Sequence, residues 1–193
     1  MNVRAVGCLL ISLVLTPAVS ASQNASNVND VDLAVLKVVL NAENRLPQDG
    51  FIVLSSTPAV PGSEADIGDA DNSGAVDNLK QRSRIKTVLP SGLTSNGVHL
   101  VSDHEIQQAK KRVPEASTKE SLLHKGWESF YSAFPGSAGL MKISLPGYTA
   151  AGDIAVVYTS FRCGSLCGKG EYVYLHRVNG DWQVLVRLPV WIS

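Results

Sequence analysis

Basic residues are not in excess, aromatic residues are few, and cysteine is nearly absent. Lys and Arg together number 17 and are matched by 17 Asp and Glu. That balance gives no sign of the basic face or stripe with which a protein holds nucleic acid, so no nucleic-acid partner is expected. The local signatures of several enzyme classes are also missing. Ser137 in "PGSAG" and Ser165 in "CGSLCG" lack the first glycine of a nucleophile elbow, and neither a P-loop nor a dinucleotide fingerprint occurs. After residue 15 no apolar run approaches the roughly 20 residues that a membrane-spanning helix needs. What remains is an ordinary globular composition, 45% hydrophobic and 18% charged over 193 residues, for which one domain is the default.

The N-terminus carries the one compartment signal. Arg4 supplies a short positive region, "AVGCLLISLVL" (5–15) is an apolar core, and Pro17 precedes small residues, as in a secretory signal peptide. The expectation is a signal peptide over 1–21, cleaved after Ser20 or Ala21, with an exported periplasmic or extracellular product and no integral membrane segment afterwards. Cys8 precedes the apolar core rather than following it, which argues against lipid attachment. Losing Cys8 with the peptide leaves Cys163 and Cys167, an even pair in an oxidising compartment. Redox chemistry favours C-x-x-C at a helix N-terminus, and zinc wants four ligands. The spacing C-x-x-x-C in a glycine-rich stretch reads instead as a disulfide across a turn, with Gly164, Gly168 and Gly170 expected to give the backbone its freedom.

Periodicity orders the rest of the chain. Residues 22–30 are polar and read as a flexible segment, followed by a single domain over 31–193. Val35, Leu36, Val39 and Leu40 recur at helical spacing, and "FIVLSST" (51–57) reads as a short buried strand. Residues 58–83, rich in Pro, Gly, Ser, Ala and Asp, read as a long mobile loop. Ser102 with Glu105, and Ser117 with Glu120, form capping boxes for two helices; the second carries Leu123, Trp127, Phe130, Tyr131 and Phe134 in one apolar stripe. From residue 140 the period changes to that of strands. The segments 140–145, 153–161, 171–178 and 181–188 are β-branched and aromatic, and Asn179-Gly180 is the strongest two-residue hairpin signal. Opposing Val178 to Asp181 puts Val173, Leu175, Val184 and Val186 on one face and Tyr172, Tyr174, His176, Gln183, Leu185 and Arg187 on the other.

The predicted fold class is α+β: two or three helices packed on one face of a four- to five-stranded antiparallel sheet, cystatin-like or a related helix-on-meander, with C-terminal β-hairpins. The helix stripe is expected to bury Val173, Leu175, Val184 and Val186.

"FPGSAGLMKISLPGY", "IAVVY", "CGSLCGKGEYVYL", "NGDWQV" and the terminal "WIS" together resemble a group of bacterial secreted proteins of uncharacterised function. The likeness covers roughly residues 127–193. It implies export and this fold, and it brings no catalytic residues.

Three functional readings follow. The first is a non-enzymatic binding protein whose partner, a protein or a cell-envelope component, sits on the face of Tyr172, Tyr174, His176, Gln183 and Arg187, residue types that interfaces favour. The second is a small secreted hydrolase with a nonstandard site, drawing on His176; none of His99, His104, His124 or His176 has a catalytic signature around it. The third is calcium binding at "DADNSGAVDNLK" (69–80), where Asp69, Asp71, Ser73 and Asp77 take positions 1, 3, 5 and 9 of an EF-hand loop. Lys80 stands where that loop needs a bidentate Glu, so no cofactor is the default expectation.

Overall fold

The computed structural model describes residues 28–43, 50–65, 73–95, 97–111 and 119–193, at Glu64 and 119–125 by backbone alone. The signal peptide with Cys8, residues 22–27 of the N-terminal segment, Asp69, Asp71, Ser117 and the side chains of Glu120, Leu123 and His124 lie outside the described residues.

Four helices and seven strands are described: α1 (Asp30–Asn41), β1 (Phe51–Ser55), α2 (Ala75–Arg82), β2 (Val98–Val101), α3 (Asp103–Lys111), α4 (Lys119–Ala133), β3 (Ser137–Ile143), β4 (Gly147–Tyr148), β5 (Ile154–Gly164), β6 (Cys167–Val178) and β7 (Asp181–Ile192). The class is α+β as expected, but the sheet is mixed. Its order is β2-β1-β3-β5-β6-β7, with β4 pairing β5. β1 runs parallel to both neighbours, and the remaining pairs are antiparallel. Parallel neighbours cannot be joined by a tight turn. Accordingly α2 lies on the chain between β1 and β2, and α3 with α4 carries it from β2 past β1 to β3. A strand flanked in this way is buried on both sides, which is why Ile52, Val53 and Leu54 are apolar in succession.

The helices cover both faces rather than one. On the first face α1 sets Val35, Leu36, Val39 and Leu40 against Ile52, Leu54, Met141, Ile143, Val157, Val173 and Leu175. Each such side chain contributes about 1.5–3 kcal/mol. Its start is fixed by a capping box: the Asp32 N–H donates to Asn29 Oδ1 at 2.8 Å and the Asn29 N–H to Asp32 Oδ2 at 3.2 Å. On the second face α2 packs Ala75, Val76 and Leu79 on Val156, Tyr158 and Tyr172. α3 and α4 cover the same face farther along, where Phe130 and Ile106 meet Val53 and Leu140. The aromatic stripe therefore buries β1 and β3, and it is α1 that covers Val173 and Leu175.

Residues 75–82 are helix where a loop was expected. The segment reads as polar because its buried stripe is only Ala75, Val76 and Leu79. It sits close to the sheet because Gly147 admits the Ala75 carbonyl and the Leu79 backbone where any side chain would clash.

Candidate functional site

The expected binding face is split by two irregularities in β7. Val178 opposes Asp181 and His176 opposes Gln183, as the Asn179-Gly180 turn dictates; Asn179 at φ 52° and Gly180 at φ 96° give the two positive angles of a type I′ turn. A bulge then shifts the register between Tyr174 and Leu175, and a second between Gly170 and Glu171. Beyond the first bulge Val186 opposes Tyr174, Arg187 opposes Val173 and Leu188 opposes Tyr172. One inserted residue exchanges the two faces of a strand. The structure thus keeps Tyr172, Tyr174, His176 and Gln183 together, removes Arg187 and brings in Val186 and Leu188. Tyr172 is fully buried beneath α2, Tyr174 and His176 are half-buried, and Gln183 is exposed.

Arg187 serves the other face. One guanidinium nitrogen lies 2.7 Å from Glu171 and 3.7 Å from Glu43; the second donates to the Ala42 carbonyl at 3.0 Å. α1 ends at Asn41 and has no basic residue in its last turn. The cation that a helix C-terminus favours therefore comes from β7. Glu171 is also paired with Lys169 at 2.7 Å, and both Glu43 and Glu171 are buried.

A third buried carboxylate ties the helices of opposite faces. Asp32, wholly inaccessible, accepts from Arg82 at 2.7 and 2.9 Å and from the Tyr148 hydroxyl at 2.8 Å. Arg82 also donates to the Pro146 carbonyl at 2.6 Å. Burial, then the bond to Asp32, pushes the Tyr148 hydroxyl pKa well above its ordinary value. The Asp32 carboxylate likewise holds Arg82 more firmly protonated. With its donors supplied from within the chain, this network reads as a structural latch.

Cys163 and Cys167 face each other at disulfide distance with Cα atoms 5.1 Å apart. They bridge the hairpin of β5 and β6, whose tip carries the exposed Leu166. The expected role of the nearby glycines needs correction: positive φ occurs at Gly74, Gly97, Gly136, Gly139, Gly152 and Gly180, and at none of Gly164, Gly168 or Gly170. Gly168 and Gly170 are strand residues whose missing side chains make room. The Trp191 indole lies directly over Gly170, where a Cβ would collide with the ring, and its edge reaches Gly168. The indole N–H donates to the Tyr158 hydroxyl at 2.8 Å.

This indole borders a cleft of ≈ 330 Å³ on the second face, between the segment Thr57–Val60 and β3 and β5. Lys142, Tyr158, Ser160, Arg162 and Trp191 line it. Sequence reasoning missed these residues. They share a row because Lys142 opposes Ser160, Ser160 opposes Gly170 and Gly170 opposes Trp191. The available signal was a lone basic residue inside each of two apolar strands, "LMKIS" and "YTSFRC".

The remaining candidates are dispersed. His99 stacks on Phe51 with ring centroids 4.0 Å apart, and His104 contacts Gln108 at 3.2 Å. Among the described residues no histidine hydrogen-bonds a serine, Asp or Glu in the geometry above. Of the calcium positions, Ser73 accepts from the Ala75 N–H at 3.1 Å and Asp77 lies in the first turn of α2. Helix therefore begins at loop position 7, and the carbonyl an EF-hand would aim at its ion there faces Gly147. Among the described residues no group of three or more His, Cys, Asp or Glu is placed to hold a metal, and no helix is long and apolar enough to cross a membrane.

Compared with protein-family models, curated proteins and solved structures, the chain matches none. Fold and site define an α+β protein with a mixed sheet, helices on both faces and one long open edge.

Proposed function

We propose that the protein is exported and acts without catalysis, holding a polypeptide partner along β7. The signal-peptide pattern of residues 1–21 and the paired cysteines support export. One observation carries the binding reading: β7 closes the sheet with 12 residues, and its Leu185, Val186, Leu188 and Ile192 are 56%, 41%, 37% and 79% exposed. The opposite edge, β2, has 4 residues. Natural proteins shorten, charge or cover such edges, because an open strand invites another chain to pair with it. Here Pro189 and the second bulge interrupt the edge toward its end, and the stretch from Gln183 to Leu188, with the first bulge at Leu185, stays open. An extended segment of a partner protein would pair with its main chain and cover Leu185, Val186 and Leu188, with Tyr174, His176 and Gln183 at the border. Apolar side chains rimmed by polar ones form the usual anatomy of such a contact.

The test is a photo-reactive residue placed at Leu188, and separately at the exposed Val88, in cells that export the protein. The expected result is one dominant adduct from position 188, mapping to a single segment of its partner and lost on adding Val186→Lys. An adduct of twice the chain mass would name a second copy as that partner. Equal labelling from positions 188 and 88 would overturn the proposal.

A further inference from the structure

The cleft between Thr57–Val60 and strands β3 and β5 rests on observations independent of the β7 edge. Its charge is unbalanced. Among the described residues Lys142 has one ion-pair partner, Asp103, at 3.4 Å, and that carboxylate also accepts from the Ser55 hydroxyl at 2.6 Å. Arg162 has no carboxylate partner among the described residues. Its guanidinium carbon sits 4.9 Å from the centre of the Trp191 ring. The Trp191 ring packs on Gly168 and Gly170, so the indole is a fixed plate beside Arg162. A guanidinium held beside an aromatic ring by cation–π attraction spends none of its N–H donors on a carboxylate and keeps them for a ligand. The Ser160 hydroxyl, between Lys142 and Gly170 in the row, has no hydrogen-bond partner among the described residues.

A third cation adds to the field. Lys110 of α3 places its ammonium 4.1 Å from the centre of the Trp127 ring and 5.7 Å from that of Phe130. Burial, and then the charges of Arg162 and Lys142, hold its pKa below the ordinary lysine value. The Asp103 carboxyl is also held low: burial pushes it up, but the Ser55 hydroxyl and Lys142 outweigh that. Among the described residues three cations thus face one carboxylate beside the low-dielectric walls of Tyr158 and Trp191. Such a cleft concentrates anions.

We propose that this cleft binds an oxyanion, the carboxylate or phosphate group of a ligand, on the Arg162 fork, the Lys142 ammonium and the Ser160 hydroxyl. Planar, two-point recognition by arginine suits both groups, and the size of the cleft admits one such group with a small attached body. Trp191 is a positioning residue here: its ring holds the Arg162 guanidinium in place.

The experiment is a titration of ¹⁵N-labelled protein with inorganic phosphate, with glucuronate, and with chloride at matched ionic strength. The readout is the Trp191 indole N–H resonance, assigned with Trp191→Phe. A saturable shift with phosphate alone assigns a phosphate site, and one with glucuronate alone or with both assigns a carboxylate-competent site; chloride should give neither. Arg162→Gln and Lys142→Gln should each weaken the apparent affinity by roughly tenfold or more, Arg162→Lys should restore it only in part, and Arg177→Gln should leave it unchanged. The dispersion of the same spectra checks that each variant is folded. The absence of saturation with either anion, or equal affinity in Arg162→Gln, would overturn the proposal.

Discussion

At the scale of single residues, side-chain absence and side-chain charge do most to fix the geometry. Gly170 is buried with an indole across it, so Gly170→Ala should displace Trp191 and cost about 1–3 kcal/mol, read from denaturant unfolding with tryptophan fluorescence. Gly168→Ala, whose nearest ring contact is looser, should cost less. Arg187→Ala leaves Glu43 and Glu171 buried with one cation fewer, and removing one member of such a group costs about 3–5 kcal/mol. A fall in the urea midpoint of that order is expected, together with unchanged labelling from position 188. Unaltered stability would mean that the α1 C-terminus does not depend on Arg187. Tyr148 sets an alkaline limit. Its folded pKa lies above the ordinary 10.0, so folded and unfolded chains are equally protonated below that value and its stabilisation is intact there. As pH rises beyond 10.0 the unfolded chain loses the proton first, and stability falls. Unfolding measured from neutral to strongly alkaline pH should show this decline, and Tyr148→Phe should make it shallower.

At the scale of elements, legibility follows the range of the interactions that decide each one. The α3 start depends on neighbours in sequence: the Ser102 N–H donates to Glu105 at 3.1 Å and the Glu105 N–H to Ser102 at 3.2 Å, a capping box written plainly as S-x-x-E. Ser102→Ala should cost about 1 kcal/mol in urea unfolding and loosen the end of α3 that bears Asp103. The Asn179-Gly180 hairpin was equally readable. The face of Arg187 was not, because a bulge five residues beyond the turn reverses the alternation without any glycine to mark it. α2 escaped notice because its buried stripe is small and its fit depends on Gly147, about seventy residues away. The same holds for the cleft: Lys142, Ser160 and Trp191 carry no motif, and only the pairing of β3, β5, β6 and β7 sets them in one row. The parallel pairing of β1 was invisible for a related reason. "FIVLS" shows burial on both sides but names neither neighbour.

At the scale of the whole molecule, the proposed export and the oxidation of the cysteines make one joint prediction. Mass spectrometry of the secreted form should place its N-terminus after Ser20 or Ala21, and thiol titration without reductant should find no free cysteine. Two free thiols in that form would remove the disulfide and reopen metal and redox readings of Cys163 and Cys167. Because the closed loop is short, replacing both cysteines by serine should cost only about 2 kcal/mol and leave the protein folded. The sheet order has a consequence for how the chain is assembled. β5, β6 and β7 follow one another as hairpins and can pair as soon as each is made, whereas β1 is the earliest strand and lies between β2 and β3. Contacts so distant along the chain close late. If the chain crosses a membrane N-terminus first, as proposed, Phe51–Ser55 arrives with both edges bare; one can close once Val101 has followed, the other only after Ile143.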